Sequence, residues 1–247
     1  MDSTLNIALA HQTAVQRRMD VVANNIANMN TTAFQKESVE FQEYKIRLEN
    51  SNSLLGNTIS LIQEVGSRRN FEEGNFTPTN NTLDIAISGR GYLSVEDQQG
   101  NLRYTRNGHL SINDEGLLVA AGGALVLDDG GAPITIAPTD TGIEIANDGT
   151  MTSAGLLNVK LGIVEFDEEN NGNLKKVGQS LFSSTFTPIP AEESVVTQGM
   201  LEASNVNAIE EMTDMLSIMR SYQSVAKMMD NYQNLKNSSL KTIGAVG

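Results

Sequence analysis

Apolar residues recur in alternating steps of four and three at both ends of the chain. Ala208, Met212, Met215, Met219, Tyr222, Ala226 and Met229 follow this rule between Asn205 and Leu240. Val15, Met19, Val22, Ile26 and Met29 follow it between Leu5 and Met29. A period of about 3.5 residues holds one apolar seam along a helix and suits a supercoiled helical partner. The spacing therefore predicts two long terminal helices pairing as a coiled coil. The first covers residues 3 to about 30, with Asp2 or Ser3 as its N-cap. The second starts after Asn207, with Glu210 three residues on to complete a capping box, and its roughly 35 residues span about 50 Å. A second stripe, Ile218, Val225, Met228, Tyr232 and Leu235, runs beside the first. Two adjoining stripes let one helix contact more than one partner, although the same pattern also fits two helices paired within one monomer.

From Leu83 the period changes to two. Asp84 to Ser88, Gly91 to Val95, Leu102 to Arg106, Leu110 to Ile112 and Leu117 to Ala120 read as short strands, and so do Ile134 to Ile136, Ile143 to Ala146, Val159 to Phe166 and Leu181 to Phe186. Gly, Asn and Asp turns separate them, which predicts an all-β domain and not a βαβ layout. Phe34 to Thr79 carries scattered apolar residues punctuated by Gly56, Gly66 and Gly74, and reads as an extended connector with one short helix. The expected fold class is α+β: a central all-β domain with N- and C-terminal helices pairing as a coiled coil. The expected division is 1–35 for the N-terminal helix, 36–80 for the connector, 81–190 for the β domain, and 191–247 for a return segment and the C-terminal helix.

Charge follows the same division. The net charge is −13, made of −1 in residues 1–50, −1 in 201–247 and −11 between them. Near-neutral ends can approach one another and copies of themselves, whereas an acidic middle repels its neighbours. Such a balance argues against nucleic acid as a partner, since phosphate binding needs a basic surface. No apolar run reaches the length of a membrane span, so no membrane insertion is expected. The first residues lack the basic and apolar regions of a secretory signal. The expectation is therefore a cytoplasmic protein, or one exported by a route that reads no such signal.

A catalytic constellation is hard to assemble from these residues. With no Cys, disulfides, thiolate metal sites and a Cys nucleophile are excluded. The two histidines, His11 and His109, stand apart in the sequence and form no metal-binding pair. Gly89-Arg90-Gly91 opens like a dinucleotide fingerprint, but Ser94 stands where the third glycine belongs and no helix follows. Asp167 to Gly172 has the early spacing of a calcium loop, yet Gly178 occupies the position of the bidentate Glu. It reads better as an acidic hairpin tip. No enzyme activity, cofactor, metal or small-molecule substrate is expected.

Three ordered stretches carry a resemblance. Ala23-Asn24-Asn25-Ile26-Ala27-Asn28 with Asn30 to Lys36, Ile87 to Leu93 with Tyr104 to Gly108, and Val196 to Val206 with Glu211-Met212 and Arg220-Ser221-Tyr222 resemble the bacterial flagellar rod and hook proteins. Ala33 stands where that family usually has Gly, and Tyr92-Leu93 where it usually has two Phe residues. The length and modest β domain fit the shorter rod members, a proximal-rod subunit first and the distal-rod paralogue as the alternative. The resemblance implies a structural subunit of the basal-body rod, whose terminal helices form an inner tube with the β domain outside. It also implies copies of itself, neighbouring rod proteins and the flagellar export apparatus as partners, a place in the periplasmic part of the flagellum, and export without a cleaved signal peptide. The subunit-assembly candidates are Val15, Met19, Val22, Asn24, Asn25, Ile26, Asn28 and Met29, with Met212, Met215, Met219, Tyr222 and Met229. Asn24, Asn25 and Asn28 are expected to hydrogen-bond between helices. The reading from a different class is a secreted adhesin or enzyme whose helices form a private hairpin.

Overall fold

The computed structural model describes residues 2–47, 58–138, 140, 142–155, 157–167, 174–178, 180–191 and 193–244. Part of the expected connector (48–57) and the acidic stretch 168–173 lie outside the described residues. The chain divides into two compact units: Met1–Ala27 with Glu37–Arg69 and Asn207–Gly247, and Asn28–Lys36 with Asn70–Val206.

The first unit holds two helices and a hairpin. Helix α1 covers Asp2–Ala27, strands β1 and β2 cover Glu37–Arg47 and Thr58–Arg69, and helix α2 covers Ala208–Gly244. Asn207 caps α2, its Oδ1 accepting the Ile209 N–H at 3.1 Å. Glu210 and Glu211 stand in the first turn, where the helix dipole favours negative charge. The two strands pair antiparallel from Glu37 opposite Arg69 to Arg47 opposite Thr58, with a bulge between Glu40 and Phe41. Along β1, Glu37, Val39 and Phe41 are half-buried, while Ser38, Glu40, Gln42 and Tyr44 are exposed. A two-stranded hairpin needs a cover for its apolar side, and both strands pack against α1.

That packing corrects the expected coiled coil. The α+β class holds, but the helices do not meet seam to seam. Helix α1 is in contact with α2 and with both strands, so its apolar face is divided among three elements. Among the described side chains of α2 the buried ones are Glu211 and Ile218, while Met212 and Met219 of the predicted seam are exposed. Two of the links between the helices are polar: Gln12 Nε2 donates to Tyr222 Oη at 2.9 Å, and Asn25 Nδ2 to Glu211 Oε2 at 3.0 Å. A heptad pattern reports that a face is apolar and does not report what covers it. Here a hairpin takes a share of α1 that a supercoil would need.

The second unit is built on antiparallel strands. Strands β3 (Phe76–Pro78), β4 (Ile85–Ser88), β5 (Tyr92–Glu96) and β6 (Leu102–Thr105) open it. β5 pairs with β6 on one side, and on the other with both Leu125–Val126 and Ile163–Glu165. Ile85, Ile87, Leu93, Val95, Leu118, Val126, Met151 and Val196 form the centre of one core. Tyr92, Tyr104, Phe166 and Phe182 form a second, aromatic cluster with edge-on rings. The expected strand from Val159 to Phe166 is broken. Asn158–Lys160 belongs to a three-stranded sheet with Glu144–Ile145 and Thr150–Thr152, whereas Ile163–Glu165 joins β5. Gly162 sits at the break, where a Cβ would lie 2.5 Å from the Asp128 carbonyl oxygen.

One buried ion pair gathers the unit's distant segments. Arg106 and Glu202 are each 3% exposed, with Arg106 Nε 2.9 Å from Glu202 Oε2. The other guanidinium nitrogens donate to backbone carbonyls: Nη1 to Gly89 and Gly91, and Nη2 to Ile87. Glu202 Oε1 accepts the Gly74 N–H, and its carbonyl accepts the Ala33 N–H at 2.8 Å. Glu202 lies on Met200–Glu202, which pairs with β3, and the preceding Val195–Gln198 pairs with β4.

Glu202→Leu leaves the buried Arg106 charge with only the partly exposed Glu73 carboxylate, 4.0 Å away, and is expected to destabilise the β unit by up to about 3–5 kcal/mol. Adding Arg106→Met should restore much of that loss, and urea unfolding of the two variants measures both effects. Ala33 has a left-handed backbone, φ 54°. Ala33→Gly relieves about 1–2 kcal/mol of strain, offset by about 0.5–1 kcal/mol of backbone entropy and about 0.8 kcal/mol for the buried methyl. It should therefore unfold within about 1 kcal/mol of the unmodified protein, while Ala33→Val should lose about 2 kcal/mol or more.

Candidate assembly surface

In the helical unit the predicted positions fall on different surfaces. On α1, Val22 and Asn25 are buried, Val15, Met19 and Ile26 half-buried, and Asn24 exposed. On α2, Met215, Tyr222 and Met229 are half-buried and belong to the inward row Glu211, Met215, Ile218, Tyr222, Val225, Met229 and Tyr232. Asn28 and Met29 lie beyond the end of α1 in the second unit, where Thr31 Oγ1 donates to Asn28 Oδ1 at 3.2 Å.

Asn25 acts as a three-way clip. Its Oδ1 accepts the Glu37 N–H at 3.0 Å, and its Nδ2 donates to the Glu37 carbonyl at 2.8 Å and to Glu211 Oε2 at 3.0 Å. A primary amide carries a donor and an acceptor spaced like a peptide group. The side chain therefore completes the first residue of β1 as a neighbouring strand would, with a donor left for α2. Asn25 and Glu211 are both 1% exposed. Glu211 entered the sequence analysis only within the resemblance and not as an assembly candidate, because a buried carboxylate adds nothing to a hydrophobic period.

The open surface of α2 flanks that inward row. Ile209 (77% exposed), Met212 (49%), Leu216 (57%) and Met219 (42%) lie along one side of the first half of the helix. Met228 (54%) and Leu235 (68%), one heptad apart, lie along the opposite side of the second half. At about 100° per residue these two sets bracket the buried row. Ile209 and Leu216 were also missed, although with Met212 and Met219 they continue a step of three, four and three. Single exposed apolar side chains are ordinary, whereas contiguous ones mark interaction surfaces.

The groups with shifted titration are structural ones. The backbone N–H of Asn101 holds the Asp97 carboxyl below its usual range, helped by Gln99 and Arg103. The Thr150 backbone N–H does the same for Asp148, and burial raises the Tyr104 phenol. His11 lies half-buried on α1, and His109 Nδ1 lies 2.8 Å from Asp84 Oδ1. A cavity of about 360 Å³ is lined by Gln35, Phe71, Arg90, Tyr92 and Arg106 among others, but the Arg106 donors already bind Glu202 and backbone carbonyls. Among the described residues, no group of three or more His, Asp or Glu could hold a metal ion, and no helix is long and apolar enough to cross a membrane.

A long helix with open apolar flanks, and a separate unit of short strands pinned by a buried ion pair, suit a structural subunit. Comparison with known families specifies which. Residues 5–35 match the flagella basal body rod protein model. Residues 86–153 match the flagellar hook protein FlgE/F/G D1 domain, and 197–242 the flagellar basal body rod FlgEFG protein C-terminal model. The chain is 37% identical to the flagellar basal-body rod protein FlgF of Caulobacter vibrioides over 249 aligned positions, covering 100% of both. It is 32% identical to FlgF of Rhizobium meliloti, covering 99% of both, and 31% identical to FlgG of Agrobacterium fabrum, covering 96% of this chain and 99% of that one. The chain belongs to the flagellar rod and hook protein family, and is a FlgF-like structural protein of the basal-body rod, with FlgG a close alternative.

Replacing Asn25 with Leu removes three hydrogen bonds, two to the Glu37 backbone and one to the Glu211 carboxylate. Each lost hydrogen bond contributes about 0.5–1.5 kcal/mol, and one to a charged group about 1.5–3 kcal/mol. Asn25→Leu should lower the stability of the helical unit by about 2–4 kcal/mol, read as earlier loss of far-ultraviolet helical dichroism in urea.

Proposed function

We propose that this subunit enters the rod by docking the open flanks of α2 against helices of other copies of itself and of neighbouring rod proteins. In that role it is one stave of the shaft that carries torque from motor to hook, and the flagellar export apparatus delivers it to the periplasmic section of the rod. Four large apolar side chains, Ile209, Met212, Leu216 and Met219, stand exposed along one side of a single helix, and this observation carries the reading. Met228 and Leu235 supply a second flank, so that neighbours can approach from both sides. The charge distribution supports the same arrangement, because −11 of the net −13 lies in residues 51–200, outside the sequence of both helices. Val22 and Asn25 then act indirectly, by fixing α1 and the hairpin against α2.

Burying one Met contributes about 1.5–3 kcal/mol, and a carboxylate in its place adds a desolvation cost. In a strain carrying Met219→Asp, purified basal bodies should lack a complete rod and the cells should be non-motile, while the isolated variant keeps the unfolding transition of the β unit. Normal motility and normal basal bodies in that strain would refute the docking role of this flank.

A further inference from the structure

The chain has no cysteine, so its ten methionines hold all of its sulfur. Five of them, Met212, Met215, Met219, Met228 and Met229, lie on α2. Three of these are open to solvent, whereas Met151 is fully buried in the β core. A leucine would offer nearly the same apolar area on a helix flank, but a thioether can also accept an oxygen atom.

We propose that Met212, Met219 and Met228 form a redox-sensitive modification site that distinguishes the unassembled subunit from the assembled one. Hydrogen peroxide transfers one oxygen atom to each exposed sulfur. The O–O bond breaks, an S–O bond forms, the sulfur is oxidised by two electrons, and the peroxide leaves as water. The sulfoxide is polar and chiral where the docking flank was apolar and flexible, so the modified helix no longer packs against a neighbour. Once the flank is docked the sulfurs are covered and the reaction stops. The change is reversible, since methionine sulfoxide reductases restore the thioether. This inference rests on the docking role proposed for α2.

The test uses the full chain in cells. New flagella are grown with and without sublethal hydrogen peroxide, and sulfoxide at each methionine is measured by peptide mass spectrometry in the unassembled pool and in purified basal bodies. Sulfoxide at Met212, Met219 and Met228 is expected to be at least about tenfold more abundant in the unassembled pool than in basal bodies, with Met151 unmodified in both. Relative to its own untreated culture, peroxide should reduce completed basal bodies in the parent strain but not in a Met212→Leu/Met219→Leu/Met228→Leu strain, whatever the untreated level of assembly in the latter. Equal sulfoxide in the two pools, or equal peroxide sensitivity of the two strains, overturns the inference. If the leucine strain builds no rods even without peroxide, the pool comparison in the parent strain still decides the matter. Normal assembly of Met219→Asp would instead refute the docking role itself, so the two failures are distinguishable.

Discussion

The β unit depends on one desolvated charge pair. Removing a guanidinium and a carboxylate from water is expensive, and their mutual attraction repays it only when the remaining donors and acceptors are also satisfied. Arg106 and Glu202 meet that condition. The Gly89-Arg90-Gly91 turn leaves the carbonyls of Ile87, Gly89 and Gly91 facing inward, and a planar fork of N–H donors reaches all three together with Glu202. Lysine could not replace it, having one nitrogen where the site uses three. The ends of β4 and β6 are drawn close enough that a side chain on Gly108 would collide with the Ile85 carbonyl oxygen, 1.8 Å from the Cβ position. Segments near residues 87–91, 106 and 202, remote in sequence, converge there because each supplies a group the others leave unsatisfied.

Side-chain amides do comparable work where the chain enters or leaves regular structure. Asn205 Oδ1 accepts the Lys36 N–H at 2.7 Å, and its Nδ2 donates to the carbonyls of Asn70 and Glu72. Three backbone segments of the β unit are thereby joined without a ladder. Asn25 does the same at the start of β1 in the helical unit. An aspartate could accept in either place but not donate, so the amide is what these junctions require. Hydrogen bonds of this kind add about 1 kcal/mol each, and their larger effect is to fix where the adjoining element begins.

Periodicity made the helices and many of the strands legible, because burial of one face is written in the spacing of apolar residues. Ile85, Ile87, Leu93 and Val95 alternate in the sequence and are buried in the structure. The hairpin of β1 and β2 gives a weaker signal. Its first strand reads Glu-Ser-Val-Glu-Phe-Gln-Glu-Tyr-Lys-Ile-Arg, dense in charge, and a bulge interrupts its pairing. Gly162 broke an expected strand for a reason found only in space, the nearness of another segment's carbonyl. The Arg106–Glu202 pair was invisible for a similar reason, since its partners are far apart and neither contributes to a hydrophobic pattern. On the surface, Met212 and Met219 were readable as members of a stripe. Which face that stripe would turn outward depended on the hairpin beside α1.

The heptad run on α2 therefore has two meanings. Its inward row, with Ile218 and Glu211 at its most buried points, is satisfied inside the subunit, and its flanks are not. If four flank residues were each fully buried they would contribute about 6–12 kcal/mol. Bringing two subunits together costs an estimated 4–15 kcal/mol in lost motion. One flank thus roughly balances one association, so a lone pair of subunits gains little. A subunit that engages neighbours on both sides of α2 gains from two flanks while losing its freedom only once. On the proposed docking role, the split of exposed residues between two sides of one helix favours growth onto an existing rod over pairing in solution.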